Sequence, residues 1–399
     1  MRLTLLSRAS DLARIQTAIV ADVLTRTLGA EIVSTVRAAA GDRDQQTPLA
    51  AMPDKGAFTA DLSDALADGA ADLVVHSWKD LPLEPRPDTV IAATLERADP
   101  RDLLLIRRDV IADRPPLIRI LTSSPRRAWL LERAVSSFLP WPIESLQAVP
   151  VRGNVPTRLR KLLDGPAHGL LVAKAAIDRL LDPTHPFDEP RRAVREAIDR
   201  CAWMVLPISA CPTAPAQGAL AIEVARRRAD LVDALAAVSH APTWRAVVAE
   251  RAVLAEYGGG CHLALGATCL TRDFGDVIAV RGRRPDGAEE SRWALASARP
   301  SPPRIPARAV WPRPEERDRA LRRPLDVHAP SRDRGLWVTR ADALPSAWPV
   351  SEDQPVWAAG VRTWAKLAAR GVWVHGCADG LGDREAPAVD RVAGRPVAW

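Results

Sequence analysis

The sequence of 399 residues has only five cysteines, and they form neither a CxxC pair nor a Cys/His spacing typical of metal ligands. An odd number at scattered positions argues against a disulfide framework and against a zinc site, and it favours a reducing compartment. No stretch approaches the ~18 apolar residues of a membrane span. The N-terminus lacks the apolar length and the cleavage site of a signal peptide. We therefore expect a cytoplasmic protein without a metal or a membrane contact.

Lysine and aromatic residues are also scarce: aromatics make up 5%, and the net charge of +6 comes mainly from arginine. An arginine surplus suits partners that carry phosphates or carboxylates, but it also fits an Arg-rich proteome in general. The hydrophobic content of 47% and the charged content of 26% are ordinary for a globular protein. The length allows two to four domains.

Strand-like runs alternate with helical patterns through the first 225 residues or so, which predicts α/β layers with a mainly parallel sheet. Residues 3–6 and 72–76 are predicted buried strands, and Ser10 is a plausible N-cap for the helix after the first of them. The second strand ends in polar residues, where ligands of open α/β sheets bind.

A second α/β unit begins near residue 99, and a smaller third unit follows from about residue 226. In the second unit we expect strands at 118–122 and 169–173, with helices from 125 and up to 163. In the third we expect a strong helix over 243–256. Proline and arginine dominate 299–332, as in a linker. Beyond it we expect strands at 336–339 and 372–375 around a helix at 361–370.

Two helix starts are rich in arginine. One has hydroxyls at the N-cap, proline at the first helical position and two arginines in the first turn, over 122–127. The other carries Arg152 and Arg158 around Gly153 and Asn154. Cations in a first turn oppose the helix dipole unless an anion binds there. Solvated surface arginines are the alternative, but two such starts in one unit favour a polyanionic ligand.

Two further features suggest chemistry. Lys79 and Asp80 lie just beyond the strand at 72–76, where a carboxylate can stabilise a cation or transfer a proton, although such a pair alone is more often a structural salt bridge. Cys261 follows three glycines after the helix at 243–256. A lone cysteine is usually an inert core residue, yet such a loop would leave it open as a nucleophile or an attachment site.

Together these motifs resemble the porphobilinogen deaminase family, in order, over roughly residues 3–300. The family signatures are matched at 7–16, 55–58, 77–82, 122–127, 152–162, 217–220, 250–251 and 259–261. Each motif alone could arise by chance, whereas eight in register are highly specific. The resemblance implies a hydroxymethylbilane synthase, which deaminates four porphobilinogen molecules and joins them head to tail on a covalent dipyrromethane primer.

The resemblance also implies roles for residues. Cys261 would carry the dipyrromethane through a thioether, and Asp80 would be catalytic, stabilising the pyrrole nitrogens of a cationic azafulvene. The residues implied to bind the cofactor are Ser77, Lys79, Thr122, Ser123, Ser124, Arg126, Arg127, Arg152, Gly153, Asn154 and Gln217. Those implied to bind substrate are Arg8, Ser10, Gln16, Lys55, Arg158 and Arg179. Asp11, where the family usually has proline, puts a carboxylate near an arginine that would bind anions.

The implied fold has three α/β domains, of which the first two resemble the lobes of type II periplasmic binding proteins around a cleft. We expect domain 1 at 1–98 plus 202–222, domain 2 at 99–201 and domain 3, with the cofactor cysteine, at 223–299. A linker at 300–332 and an extension at 333–399 follow. The extension faintly resembles part of uroporphyrinogen-III synthase, to which the product could be handed over. We expect a monomer.

Two alternatives come from other classes. A non-catalytic anion-binding paralogue on the same scaffold would need neither Asp80 nor Cys261, and both are present. A nucleic-acid binder would suit the sequence pI of about 9.4. It is less favoured because the arginines cluster at helix starts rather than along a stripe with interleaved aromatics.

Overall fold

The computed structural model describes residues 1–37, 59–259, 263–298, 306, 327–382 and 387–399. Its strands, in chain order, are β1 (Arg2–Arg8), β2 (Glu31–Arg37), β3 (Leu73–Ser77), β4 (Thr89–Thr94), β5 (Asp102–Arg107), β6 (Leu117–Leu121), β7 (Ser145–Val149), β8 (Gly169–Ala173), β9 (Cys201–Val205), β10 (Leu220–Ala225), β11 (Leu265–Arg272), β12 (Gly275–Arg283), β13 (Glu289–Ala298), β14 (Leu336–Val338), β15 (Val356–Ala358) and β16 (Gly376–Cys377).

Its helices are α1 (Asp11–Leu28), α2 (Ala60–Ala67), α3 (Arg108–Asp113), α4 (Pro125–Ala134), α5 (Val155–Asp164), α6 (Lys174–Leu181), α7 (Asp188–Asp199), α8 (Ala229–Ala236), α9 (Ala241–Glu256), α10 (Val361–Ala368) and α11 (Asp390–Ala393). Within the described ranges, no helix is both long and apolar enough to cross a membrane.

The first lobe is a five-stranded sheet in the order β2-β1-β3-β10-β4. β1 runs parallel to β2 and β3, whereas β10 is antiparallel to both of its neighbours. The apolar residues of these strands pack against α1, which Ser10 caps by accepting a hydrogen bond from the Ala13 amide (3.4 Å). The strand predicted at 3–6 is the centre of β1, and the one predicted at 72–76 is β3.

The second lobe repeats this arrangement in the order β7-β6-β8-β5-β9. β6 is parallel to β7 and β8, and β5 is antiparallel to β8 and β9. In each sheet the antiparallel strand, β10 or β5, is the one that the chain enters from a connection between the lobes. The predicted α/β class with two lobes, each built on one sheet, is confirmed.

Two chain segments join the lobes. The first crossing, 95–101, leads from β4 to β5, and the second crossing, 206–219, leads from β9 to β10. The sequence placed 202–222 in the first lobe, but β9 pairs with β5 in the second sheet, and the chain returns only at β10. After β10, Leu231 and Leu235 of α8 also pack in the core of the first lobe rather than in a third unit.

The third unit packs α9 against the antiparallel sheet β11-β12-β13. Glu250 of α9, which is fully buried, is one of its contacts with the rest of the chain. The Glu250 carboxylate accepts hydrogen bonds from the Arg97 guanidinium (2.6 and 2.9 Å), from the Ala216 amide (2.6 Å) and from the Cys269 amide (2.7 Å). One carboxylate thus connects both crossings to the third unit.

The described part of the extension, 327–382 and 387–399, forms a C-terminal module with a parallel sheet β14-β15-β16. Its helix α10 and its strands share a continuous apolar core with the second lobe. The strand predicted at 372–375 was misplaced, because the pairing with β15 starts at Gly376. Most of the predicted linker, 299–305 and 307–326, lies outside the described residues.

Candidate active site

Lys79 and Asp80 lie in a 3-10 turn, Trp78–Asp80, directly after β3. The turn is anchored by Trp78, which is buried and packs edge-on against Trp244 with 5.1 Å between ring centroids. Asp80 is exposed at this carboxyl end of the strand, the position where ligands of open α/β sheets bind.

Arg8, at the end of the neighbouring strand β1, lies beside Asp80. Its Nη1 is 3.9 Å from Asp80 Oδ2, and the two side chains are 22% and 33% exposed. Gln16 and Ser77 lie on the same lobe, where the Gln16 amide nitrogen donates to Ser77 Oγ (3.0 Å). Four of the predicted residues of the first lobe, Arg8, Gln16, Ser77 and Lys79, therefore lie at one edge of its sheet, and Ser10 caps the start of α1.

Gln217, from the second crossing, connects this turn to the second lobe. Its Oε1 accepts hydrogen bonds from Lys79 Nζ and from Arg127 Nη2, each at 3.4 Å. Its amide nitrogen donates to Pro100 O (2.7 Å) and to Asp102 Oδ1 (2.8 Å). The predicted cofactor residue Gln217 thus lies between the two lobes.

Burial, together with the positive charges of Arg127 and Arg126, lowers the pKa of Lys79 to about 8, against the opposing effect of the carboxylates of Asp80 and Asp102. The ammonium is therefore held where its charge is unfavourable unless an anion arrives.

Asp102, at the start of β5, holds the arginines of the first predicted helix start. Arg126 donates to Asp102 Oδ2 (2.9 Å) and to Pro212 O (3.0 Å), and Arg127 donates to Asp102 Oδ1 through Nε (3.2 Å) and Nη2 (2.7 Å). The guanidinium groups keep the pKa of Asp102 well below its usual range despite its burial. This differs from the predicted role of both arginines as open anion-binding groups.

Asp102 was missed by the sequence interpretation. The available signal was a carboxylate directly before the apolar run Leu103, Leu104 and Leu105, since an acid in such a strand needs a buried cation.

The hydroxyl groups at this helix start form hydrogen bonds with backbone groups. Ser124 caps α4 by accepting from the Arg127 amide (3.4 Å), and Thr122 Oγ1 accepts from the Ser124 amide (3.3 Å). Ser123 Oγ donates to Val151 O (2.6 Å) and accepts from the Val151 amide (2.8 Å). Ser123 thereby ties the first arginine-rich start to the segment that leads into the second.

The second arginine-rich start lies beside the same cleft. Asn154 caps α5 by accepting from the Thr157 amide (3.0 Å), and Arg158 Nε donates to Gly153 O (2.8 Å). Burial lowers the pKa of Arg158 to about 10, and the charges of Arg127 and Arg152 act in the same direction, while Asp80 opposes them. Cations of the second lobe and Asp80 of the first lobe therefore share one electrostatic environment.

Arg179 is a further predicted residue whose guanidinium has a partner within the protein. It is buried, and its Nη2 donates to Gly218 O (2.6 Å) of the second crossing. Lys55 and Cys261 lie outside the described residues. The other four cysteines are free and buried. Among the described residues, no group of His, Cys, Asp and Glu could hold a metal ion.

The donors in this cleft suit a ligand with several carboxylates. Among the described residues at this cleft are four cations, Arg8, Lys79, Arg152 and Arg158, beside the exposed carboxylate of Asp80. Cations whose pKa values are lowered by burial and by each other gain stability when anions bind between them. The residues present therefore fit a dipyrromethane with acetate and propionate side chains.

Comparison with known proteins agrees with this chemistry. A family model described as "Porphobilinogen deaminase, dipyromethane cofactor binding domain" matches residues 3–233, more than half of the chain. The porphobilinogen deaminase of Leifsonia xyli subsp. xyli is 37% identical over 291 residues, which are 71% of this chain and 80% of the relative. That of Albidiferax ferrireducens is 39% identical over 287 residues, 71% of this chain and 83% of the relative.

Similar solved structures include Rpa4515 of R. palustris with adipate, at 18% identity and a TM-score of 0.33, over 63% of this chain and 87% of that one. The periplasmic aliphatic sulphonate binding protein SsuA of Escherichia coli has 13% identity and a TM-score of 0.30, over 64% of this chain and 70% of the other. These scores are low, and no function follows from them. By its family match and its curated relatives, the chain belongs to the porphobilinogen deaminase family of transferases, whose matching domain binds a dipyrromethane cofactor.

Proposed function

We propose that this chain carries out hydroxymethylbilane synthesis with Asp80 as its catalytic residue and Cys261 as the point of cofactor attachment. The observation that carries the proposal is the position of Asp80: an exposed carboxylate at the end of β3, next to Arg8 and in the field of Arg158 from the other lobe. The anion-binding paralogue is not favoured, because pure anion binding would not place a carboxylate at the centre of the cationic cleft.

Asp80 would act on the incoming porphobilinogen. Loss of ammonia from the aminomethyl group leaves a positive charge that spreads to the pyrrole nitrogen. A carboxylate that accepts a hydrogen bond from the pyrrole N–H stabilises this charge. When the new carbon–carbon bond has formed, the proton released from the pyrrole α-carbon needs a base, which Asp80 supplies. The ion pair with Arg8 would hold the carboxylate in place.

The cations around Asp80 would bind the acetate and propionate groups. Lys79 and Arg158 reach the cleft from opposite lobes, and Gln217 and Ser77 position the turn that carries Lys79. The dipyrromethane, when bound, supplies a terminal pyrrole carbon as the nucleophile for the first addition. The ion pairs of Asp102 with Arg126 and Arg127 would support the site by fixing the start of α4.

Mass spectrometry of the purified full chain tests the attachment. We expect a covalent adduct of dipyrromethane mass that disappears in Cys261→Ala. The matched control is Cys201→Ala, a buried thiol of the second lobe, which should keep the adduct. An unmodified wild-type protein that still makes product would refute the assignment.

A second experiment tests Asp80. We expect Asp80→Asn to keep the adduct and to lose turnover by about 10²-fold or more, the size typical of removing a general acid–base group. Asp64→Asn, which removes an exposed carboxylate paired with Arg86 on the same lobe, is the control and should retain turnover. Normal turnover in Asp80→Asn would exclude a catalytic role.

Three finer points belong to the same proposal. We infer that the chain acts as a cytoplasmic monomer, and that its C-terminal module derives from part of a uroporphyrinogen-III synthase. The parallel β14-β15-β16 sheet with α10 between β15 and β16 supports an α/β origin of the module. A hand-over of product to a uroporphyrinogen-III synthase would be detected by comparing two assays. Conversion of the product should be faster when both proteins are mixed from the start than when the synthase is added after the first reaction.

A further inference from the structure

The C-terminal module contacts both crossings that join the lobes. Its attachment to the second lobe is extensive. Trp364 Nε1 donates to Phe138 O (3.2 Å), and Trp373 Nε1 donates to Trp203 O (3.0 Å), within a shared apolar core. Any contact from the module to a crossing therefore fastens that crossing to the second lobe.

Asp379 makes the contact to the second crossing. Its Oδ2 accepts from the Ile208 amide (3.1 Å), and its Oδ1 accepts from the Ser209 amide (2.9 Å) and from Ser209 Oγ (2.6 Å). Three donors converge on one carboxylate directly after β9. Hydrogen bonds to a charged acceptor are about twice as strong as neutral ones.

The backbone of Asp379 is held in a specific conformation. Its φ is +54°, in the left-handed region that aspartate and asparagine tolerate better than other non-glycine residues. Burial raises the pKa of Asp379, while the hydrogen bonds from Ser209 act against that shift. A constrained backbone and a partly desolvated carboxylate aimed at the crossing are consistent with a positioning role.

Trp357 makes the contact to the first crossing. The Arg101 guanidinium carbon lies 5.1 Å from the centroid of the Trp357 ring, which is buried. Arg101 also pairs with Asp99 (2.6 Å), and Asp99 in turn lies 3.5 Å from Lys174 Nζ in the second lobe. The first crossing is thus fixed at 99–101 from the side of the second lobe.

We propose that Asp379 is a positioning residue of the C-terminal module, which, with Trp357, fixes the pivot between the lobes and so the width of the cleft. The consequence for catalysis rests on the proposed function. A growing chain of pyrroles must be accommodated between the lobes, and the freedom of the two crossings sets how far the lobes can separate. Asp379 fastens residues 208 and 209, near the start of the second crossing, to the second lobe through the module.

Hydrogen exchange of the full chain tests the contact independently of activity. In Asp379→Asn the backbone can keep its left-handed conformation. The side-chain NH2 group, however, replaces one acceptor oxygen and faces the backbone N–H of Ile208 or Ser209, which then loses its hydrogen bond. We expect amide exchange at 206–211 to quicken by about tenfold or more, as for loss of a hydrogen bond to a charged group. The control Asp342→Asn removes an exposed carboxylate of the module that pairs with Arg340, and it should leave this segment unchanged. Unchanged exchange in Asp379→Asn would overturn the proposal.

Steady-state kinetics tests the consequence. We expect Asp379→Asn to raise the KM for porphobilinogen by about fivefold or more, with a smaller change in kcat and an intact adduct. A fall in kcat at constant KM, or no kinetic change, would overturn the link to cleft width. Should Asp379→Asn not fold, Ser209→Ala removes one of the three donors and is expected to change exchange and KM in the same directions. If the wild type forms neither adduct nor product, the proposed function fails, and hydrogen exchange still decides the contact.

Discussion

Gln217 is the residue through which the charges of the two lobes communicate. Its carbonyl oxygen faces two cations, Lys79 and Arg127, and its amide nitrogen faces the carboxylate of Asp102. An amide is suited to this position because it carries an acceptor and donors on one planar group. The Gln217 oxygen stabilises the protonated Lys79 beside Arg127. A second carboxylate in its place would reduce the positive charge available to the substrate.

The pH dependence of binding should report the titration of Lys79. Its pKa of about 8 in the folded chain lies below the ordinary 10.5, so the charge is present at pH 7 and is lost as the pH rises through 8. We expect the KM for porphobilinogen to rise as the pH is raised through this pKa in the wild type. In Lys79→Arg this rise should be absent, because arginine stays charged.

Stability does not confound that measurement. Between pH 8 and 10.5 the folded chain binds fewer protons at Lys79 than the unfolded chain, so this residue adds to stability as the pH rises. Lys161→Arg, at an exposed lysine that donates to Arg152 O, is the control and should keep the wild-type profile. A rise in KM that persists in Lys79→Arg would assign the titration to another group.

At the residue scale the sequence predicted which residues lie at the cleft better than it predicted which partners their side chains bind. Asp80, Lys79 and Arg158 lie at one cleft, as their motifs indicated. Arg126 and Arg179 were expected to face anions, but they donate to Asp102 and to Gly218 O. A motif gives the residue type, whereas the partner of a long side chain depends on which distant segment the fold brings beside it.

The second crossing shows how an element without regular structure can be held in place. Gly218 adopts φ +90°, and a Cβ added there would lie 2.5 Å from Ala98 O of the first crossing. The Ala98 amide in turn donates to Gly218 O (3.3 Å). Only glycine permits the backbones of the two crossings to approach this closely.

Gly218→Ala should therefore cost more than an ordinary loss of a left-handed glycine. Unfavourable φ alone costs about 1–2 kcal/mol, and the clash with a backbone oxygen adds to it. Gly29→Ala is the matched control, since Gly29 ends α1 at φ +61° and an alanine methyl group there would meet no atom within 4 Å. Denaturant unfolding of both variants gives the comparison, and equal losses of stability would show that the crossings relax apart.

Elements with a strong local pattern were predicted well, whereas the strand at 372–375 and the lobe of 202–205, which depend on pairing, were not. The helix expected at 243–256 is α9, Ala241–Glu256, because capping and apolar spacing are local properties. The assignment of 202–205 to the first lobe differs from the structure, since β9 is apolar along its length and suits either sheet. Which sheet receives a fully buried strand is decided by its neighbours in space.

At the scale of the whole molecule, the C-terminal module and the second lobe form one apolar core. Trp364 is fully buried between them, and its ring lies 4.7 Å from that of Phe138. The polar contacts across this boundary include Val205 N to His375 O (2.8 Å). His375 is buried with its pKa lowered to about 3, so it stays neutral at neutral pH. The module and the lobe should therefore unfold together.

Trp364→Ala tests this cooperativity. Removing a large buried aromatic side chain typically costs about 3–5 kcal/mol. We expect a loss of that size within a single calorimetric transition. Trp293→Ala, at a ring that is 40% exposed on β13, should change stability by less than about 1 kcal/mol. A separate low-temperature transition in the Trp364 variant would show that the module unfolds independently.

Four sulfur atoms are withdrawn from reactivity by this packing. Burial raises the pKa of Cys201, Cys211 and Cys269 to about 12, and that of Cys377 is raised as well. Because the thiolate is the nucleophile, these side chains are nearly inert towards electrophiles at neutral pH. In the proposed reaction, which generates electrophilic pyrroles, these four buried cysteines would therefore not compete as nucleophiles with the proposed attachment cysteine.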